Sequence, residues 1–382
     1  MKKLGITGSI TLLLILRALY SMNWYNVSPM LFRITSAYGV SDSLSGLVLS
    51  AFLVGTGAFQ IPSGLVASRI GSRNTALAGM VIMSTATIFT FLSFNFTEFL
   101  VTRLFVGIGS AFFFSSGIAV LNDIDSNNVS RNIGAFNTAF SIGGGFGVVG
   151  FAFLLSYINW AVLLEMGGIV TLIVTVIAFV LIQDVSPRGS MVNFKKNVMA
   201  RITSKPLILL SMSMAGYWGL NFTLEEYLQP FAVRVGFSTG IAGTIGSLSL
   251  FAGLIGMFLF VYFSRKRLPV VLPSIALFIS MVIAFQFFAI PYYLFVTSLV
   301  GGTISVIIFS LEYSYVVAVE KEKQYVAFGI SIMNALQIAT GSVITLLFGY
   351  IFSITDTFAW VVLAIISVAF IPLGIPIWRK KV

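Results

Sequence analysis

Long apolar stretches alternate with short polar turns along the whole chain. A helix needs about 20 apolar residues to cross roughly 30 Å of hydrocarbon. The pattern predicts twelve such helices, near 6–36, 43–67, 74–95, 98–122, 131–158, 160–182, 206–233, 239–263, 269–290, 292–318, 325–353 and 356–378. Most turns are short, so consecutive helices run antiparallel and pack as bundles. The longest polar interruption, Gln183 to Lys205, carries Pro187, Gly189 and five basic residues. It divides six predicted spans from six, and its basic character suits either a segment lying against an anionic leaflet or a solvated linker. The expected fold is an all-α polytopic membrane protein. Residues 1–183 form an N-terminal six-helix bundle, 184–205 a cytoplasmic linker and 206–382 a C-terminal six-helix bundle.

The two predicted halves match each other. A shift of 197 positions lays Tyr20 on Tyr217, Gly39 on Gly236, Ser50 on Ser247, Asn137 on Asn334 and Gly144 on Gly341, without a gap. Charge sign follows as well, with Asp123 on Glu320 and Asp125 on Glu322. Shared apolar composition does not place glycines and charges at fixed offsets, so the chain reads as a duplication. Two matching halves are a common framework for alternating access in membrane proteins.

Composition agrees with this pattern: 58% of the 382 residues are hydrophobic and only 9% charged. The net charge of +10 changes the picture only through its placement. Of the 22 basic residues, 18 fall at alternate turns or in the termini, among them Lys2, Lys3, Arg69, Arg73, Arg131, Arg188, Arg265, Lys266, Arg267, Lys321, Lys323, Arg379, Lys380 and Lys381. That distribution places the basic side in the cytoplasm by the positive-inside rule, with both termini inside, and gives no reason to expect nucleic acid as a partner. The first apolar stretch reads as a full span with no cleavage site for a signal peptide. Cysteine and histidine are absent, which excludes disulfides, thiol chemistry, imidazole metal sites and histidine proton relays. No nucleophile–base cluster or metal-ligand spacing is visible, so neither an enzyme nor a cofactor is expected.

Short motifs narrow the class. Gly64 to Leu77 reads GLVASRIGSRNTAL between the second and third predicted spans, on the basic side. This stretch resembles the signature loop of the major facilitator superfamily at Gly64, Ala67, Arg69, Gly71, Arg73 and Leu77, with Ser68 where the family has an aspartate. Arg103 opens RLFVGIGSA, which is similar to the family's fourth-span pattern at Gly107, Gly109, Ser110 and Ala111. The Gly-Pro pair of the family's antiporters is missing from Gly144-Gly145-Phe146-Gly147. With the twelve spans and the duplication, the chain is identified as a member of the superfamily. The resemblance implies two pseudo-symmetric six-helix bundles and a solute site at mid-membrane, with the first and seventh helices lining its walls. It also implies a cytoplasmic latch at the signature loop, whose electrostatic part the Ser68 position leaves open.

Ionisable residues inside a bilayer are costly and mark sites by default. Arg17 lies about eleven residues, or roughly 16 Å, into the first span. At helical spacing it is joined by Tyr20, Ser21, Trp24 and Ser28, and the repeat maps this stripe onto Met214, Tyr217, Trp218, Asn221 and Glu225 in the seventh span. Arg17, Tyr20, Trp24, Ser28, Tyr217, Trp218 and Asn221 are therefore the candidate substrate contacts. A buried guanidinium suits a carboxylate, phosphate or sulfate, and equally suits a fixed pair with a carboxylate from another helix.

Arg103, Glu225 and Glu312 are the coupling or gating candidates, along with Gly64, Ser68, Arg69, Gly71 and Arg73 of the signature loop. Glu312 shares a face with Ser298, Gly301 and Ser305, where it suits a proton carrier or an inner-gate hydrogen bond. Arg103 suits substrate binding, a neighbouring acid or a pair with Glu165. Asn137 and Asn334 are read as interhelical hydrogen-bonding groups. The 37 phenylalanines are read as lipid and packing surface. Clustered glycines in the fifth span predict close helix packing, and Pro62, Pro230, Pro372 and Pro376 predict kinks or ends.

The expected function is secondary transport of a small organic anion across the cell membrane by alternating access, with protons as a possible coupling ion and a single chain sufficient. The alternatives are an exporter of lipophilic or cationic compounds and a non-transporting sensor.

Overall fold

The computed structural model describes residues 3–41, 44, 46–188, 194–263, 275–276, 278–280 and 282–378. The described residues are helical, and eleven of their helices are long and apolar enough to cross a membrane. Their regular α-helical parts, in chain order, are α1 (Ile6–Tyr25), α2 (Gly46–Ile70), α3 (Ser72–Ile88), α4 (Phe96–Ile124), α5 (Val129–Gly145), α6 (Trp160–Leu181), α7 (Lys205–Arg234), α8 (Thr239–Phe263), α9 (Tyr293–Val319), α10 (Val326–Ile354) and α11 (Asp356–Ala369), several of which continue as 3-10, π or short helical turns before the span ends. Of the span predicted at 269–290, residues 269–274, 277 and 281 lie outside the described residues, as do Lys2, Arg265, Lys266, Arg267, Arg379, Lys380 and Lys381.

Three helices depart from the predicted pattern. The first span ends as an α-helix at Tyr25 and continues as a 3-10 turn, Ser28–Met30, and a short helix, Leu31–Ala37. Pro29 explains the break, because it has no N–H to give the preceding turn and its fixed φ suits the start of a new one. Ser28 therefore leaves the Arg17 stripe and is exposed. In the fifth span the α-helix stops at Gly145, passes through a π-turn at Phe146–Gly150 and resumes at Phe151–Leu154. The last span breaks after Ala369 into Ile371–Gly374 and Ile375–Trp378, where Pro372 and Pro376 fall. Pro62 and Pro230, in contrast, sit inside α2 and α7, which run through them.

The chain divides into two compact units. Unit 1 comprises Met1–Phe194 and Val319–Ile332, and unit 2 comprises Lys195–Ala318 and Met333–Val382. In unit 1, α2 packs on α4 and α1 on α5 at points where only glycine fits. A methyl group at Gly107 would strike the Phe52 carbonyl, and one at Gly143 the Ala18 carbonyl. In lipid, where apolar side chains gain little from leaving solvent, such close backbone contact is what holds helices together. Unit 2 repeats the device, with Gly302 against the Ser249 carbonyl and Gly256 against that of Thr303.

Polar groups close the turns. Asn128 and Asn132 donate to Asp125 after α4, at 3.0 and 3.2 Å, and the Asn128 bond leads in holding the Asp125 carboxyl below its ordinary range.

Candidate functional site

In unit 1 the site is organised by α1. Arg17 is 2% exposed, and its guanidinium carbon lies 4.6 Å from the Tyr20 ring centroid and 4.5 Å from those of Phe114, Phe136 and Phe140. Tyr20 reaches it from one turn along α1, Phe114 from α4, and Phe136 and Phe140 from successive turns of α5. Ring faces attract a cation through their quadrupole and carry no countercharge. Three phenylalanines read as packing surface from the sequence thus form the shell of the central cation. Tyr20 is fixed in turn by a 2.7 Å hydrogen bond with Ser110 on α4. Trp24 lies against Phe52 at 4.6 Å and edge-on to Phe140 at 5.7 Å.

Arg103, on α4, is also buried. Its Nη2 donates to the Trp24 carbonyl at 3.5 Å, and its guanidinium sits 5.5 Å from the Phe52 ring. Among the described residues it forms no ion pair, and Glu165 is not its partner. Arg103 is instead tied to the end of α1, through the backbone beside the stripe's tryptophan.

In unit 2 the equivalent stripe on α7 carries Asn221 and Glu225 where the first span has Trp24 and Ser28. Tyr217 hydrogen-bonds Ser305 of α9 at 3.2 Å. The Ser305 hydroxyl lies within donating distance of Asn221 Oδ1 at 2.6 Å and of the Gly301 carbonyl at 2.8 Å, and Asn221 Nδ2 donates to Glu225 at 2.9 Å. Ser305 has a single proton. Given to either acceptor, that proton leaves Tyr217 as the donor to Ser305, and Asn221 links Ser305 to the exposed Glu225.

Beside this network lies Glu312, fully buried. It accepts from Trp218 Nε1 at 3.2 Å and from Gln337 Nε2, which is 3.3 Å from each carboxylate oxygen. Its position is therefore fixed by neutral donors from α7 and α10. Trp218 also packs on Phe309 at 4.4 Å. Of the face predicted for Glu312, Ser305 belongs to the Asn221 chain, while Ser298 donates to the Ile245 carbonyl on α8. Asn334 accepts from Tyr313 at 3.4 Å, joining α10 to α9. Sequence reasoning passed over Gln337, although its spacing of three from Asn334 on an otherwise apolar helix was the available signal.

The signature loop lies between α2 and α3 in unit 1. Gly71 has φ of 92°, a conformation that favours glycine, and an added Cβ would meet Ser186 at 3.0 Å. Gly64 packs against Phe328 and Ser331. The Ser68 hydroxyl turns back on its own helix, donating to the Leu65 carbonyl at 2.8 Å, so it does not take the place of the family's aspartate.

The acid engaging this loop is Asp184, from the stretch after α6 that reads as linker in the sequence. Asp184 accepts from Asn74 at 3.3 Å, from Arg188 at 2.6 Å and from the Ser186 N–H at 3.2 Å. Arg188 also donates to the Ile70 carbonyl at 3.3 Å. Arg73 reaches across through its backbone N–H to Ser186 at 3.0 Å, and through Nη2 to the Phe179 carbonyl. Arg69 is exposed.

Buried charges on helices of two duplicated halves, held among rings and amides, define a polytopic membrane protein of the transporter class. The chain matches the model of the Major Facilitator Superfamily over residues 13–337 and belongs to that superfamily. An Escherichia coli (strain K12) protein named "Probable L-galactonate transporter" is 34% identical over 106 residues, 28% of this chain and 23% of that protein. An Arabidopsis thaliana protein named "Probable anion transporter 5" is 37% identical over 86 residues, 22% of this chain and 20% of that protein. The matched stretches thus span less than a quarter of these relatives. The E. coli fucose:proton symporter FucP, a solved structure, superposes with a TM-score of 0.80 at 16% identity, covering 99% of this chain and 100% of that one. This likeness shows the fold.

Proposed function

We propose that the protein is a secondary transporter of the cell membrane that carries a small organic anion by alternating access, with both termini cytoplasmic and protons as coupling ion. The moving parts are the six-helix bundles at 1–183 and 206–382. The observation that carries the reading is Arg17, a permanent cation held on ring faces rather than at a surface. Aromatic faces stabilise the guanidinium, and its planar fork matches a carboxylate. The relatives named for galactonate and for anions support the same substrate class. Glu312 is the proposed proton carrier: it is buried, its partners Trp218 and Gln337 are neutral, and either protonation state leaves it a hydrogen-bonding role.

The experiment is thermal stability of the purified protein in detergent against small organic anions, cations and lipophilic compounds, with Arg17→Ala in parallel. A ligand that binds the folded state raises the melting temperature by mass action. Stabilisation by an anion class that disappears in the variant is the expected result. Stabilisation by cations or lipophiles alone, unchanged in the variant, transfers the reading to an exporter with Glu225, the exposed acid of the α7 stripe, as its contact.

A further inference from the structure

We infer that the α7–α9 network of unit 2 recognises hydroxyl groups, so that the transported solute is a polyhydroxylated molecule and, with the anion reading on which this rests, a sugar acid or similar polyol carboxylate. Three features of the network point this way.

The first is its mixture of donors and acceptors. Within the described residues the Asn221 amide uses one N–H on Glu225 and one lone pair on Ser305, which leaves a donor and an acceptor side by side. A hydroxyl group both donates and accepts, and neighbouring hydroxyls of a polyol match such an amide in pairs. A cation offers the amide N–H nothing to bind, and an apolar compound leaves both groups unpaired.

The second is Gln337. Its Nε2 is committed to Glu312, while its Oε1 is buried and accepts from no group in the structure. Buried acceptors without donors are rare in folded proteins, and a ligand hydroxyl is a donor of the right kind.

The third is the aromatic floor. Trp218 and Phe309 pack at 4.4 Å with Phe222 edge-on to the indole at 5.4 Å. The Trp218 N–H is anchored on Glu312, which makes Glu312 a positioning residue for the indole. A rigid apolar face flanked by a few placed polar groups is the common form of a small-molecule site, and the C–H face of a polyol suits it.

The test compares three probes on the purified full-length protein: stereoisomeric hexonates, hexanoate, which has the same charge and chain length without hydroxyls, and neutral hexitols. Asn221→Ala and Ser305→Ala are tested beside the parent, so that a folding defect in one leaves the other. The expected result is that at least one hexonate binds roughly tenfold or more tightly than hexanoate, the worth of one or two well-made hydrogen bonds. In both variants the ratio of hexonate to hexanoate affinity then falls toward one. Equal binding of hexonates and hexanoate, both lost in Arg17→Ala, overturns the hydroxyl inference and leaves the anion reading standing. Hexitols binding as well as hexonates, with Asn221→Ala weakening both, sustains the hydroxyl inference and removes the anion reading. The absence of any difference among the three probes overturns the hydroxyl inference.

Discussion

The two stripes began from one pattern and now do different chemistry. On α1 and α7 the repeat keeps one feature: Tyr20 and Tyr217 are both buried, and each bonds a serine of another helix in its own unit, at 2.7 and 3.2 Å. Around that shared bond the residues diverge. Arg17 corresponds to Met214, Ser21 to Trp218 and Trp24 to Asn221. Unit 1 has a guanidinium surrounded by ring faces, whereas unit 2 has a carboxylate and two amides linked by directional hydrogen bonds. A cation held on rings recognises charge with little orientational demand, while an amide network recognises the arrangement of donors and acceptors. Under the proposed function, unit 1 is expected to bind charge and unit 2 to select among hydroxyl arrangements.

The largest expected effect comes from removing the charge. Arg17→Ala should lower anion affinity by roughly 100-fold or more, since a charge-assisted bidentate pair is worth about twice a neutral one. Arg17→Lys should restore only part of it, because an ammonium lacks the planar fork. Equilibrium binding measures both, and affinity unchanged in Arg17→Ala would move recognition out of unit 1.

Next is the buried acid. Glu312→Gln keeps the shape and an acceptor for Trp218 but cannot exchange a proton. Uptake into proteoliposomes should stop responding to an imposed pH gradient, while counterflow, which needs no net proton movement, stays within a few-fold of the parent. Loss of both would make Glu312 part of the binding surface instead.

The paired substitutions Tyr20→Phe and Tyr217→Phe sharpen the comparison at its one shared point. Each removes one buried hydroxyl bond, worth about 1 kcal/mol. Tyr20→Phe should mainly weaken anion binding, by loosening the shell of Arg17, and Tyr217→Phe should mainly blur discrimination among hydroxylated ligands. If the two variants behave alike, the division of labour between the units is wrong.

The smallest effect is expected at the signature loop. The Asp184–Arg188 pair is partly exposed and should contribute no more than about 1 kcal/mol. Asp184→Asn should therefore shift the melting temperature by a few degrees at most and leave ligand affinity unchanged. A large loss of affinity would give this loop a role in the site itself.

The helices were legible because a bilayer forces about 20 apolar residues per crossing, and the eleven described spans lie where that rule puts them. The interruptions were less legible. Pro29 and Pro372 break their helices while Pro62 and Pro230 do not, because the packing around a proline decides whether its missing hydrogen bond is tolerated. In the site, the stripe from Arg17 to Trp24 and its counterpart on α7 could be read from helical spacing alone. The cage around Arg17 could not, since Phe114, Phe136 and Phe140 come from α4 and α5 and nothing distinguishes them from the other phenylalanines of an apolar chain. Asp184 was hidden for a similar reason. It lies more than a hundred residues from the loop it engages, in a stretch whose basic residues dominate its sequence.

The most direct test of the central claim is uptake of a labelled hexonate, chosen from the binding panel, into proteoliposomes containing the parent protein or Arg17→Ala at matched protein density. The account predicts saturable uptake by the parent, stimulated when the outside is made acidic, and background uptake by the variant. Equal uptake by the two proteins would contradict it.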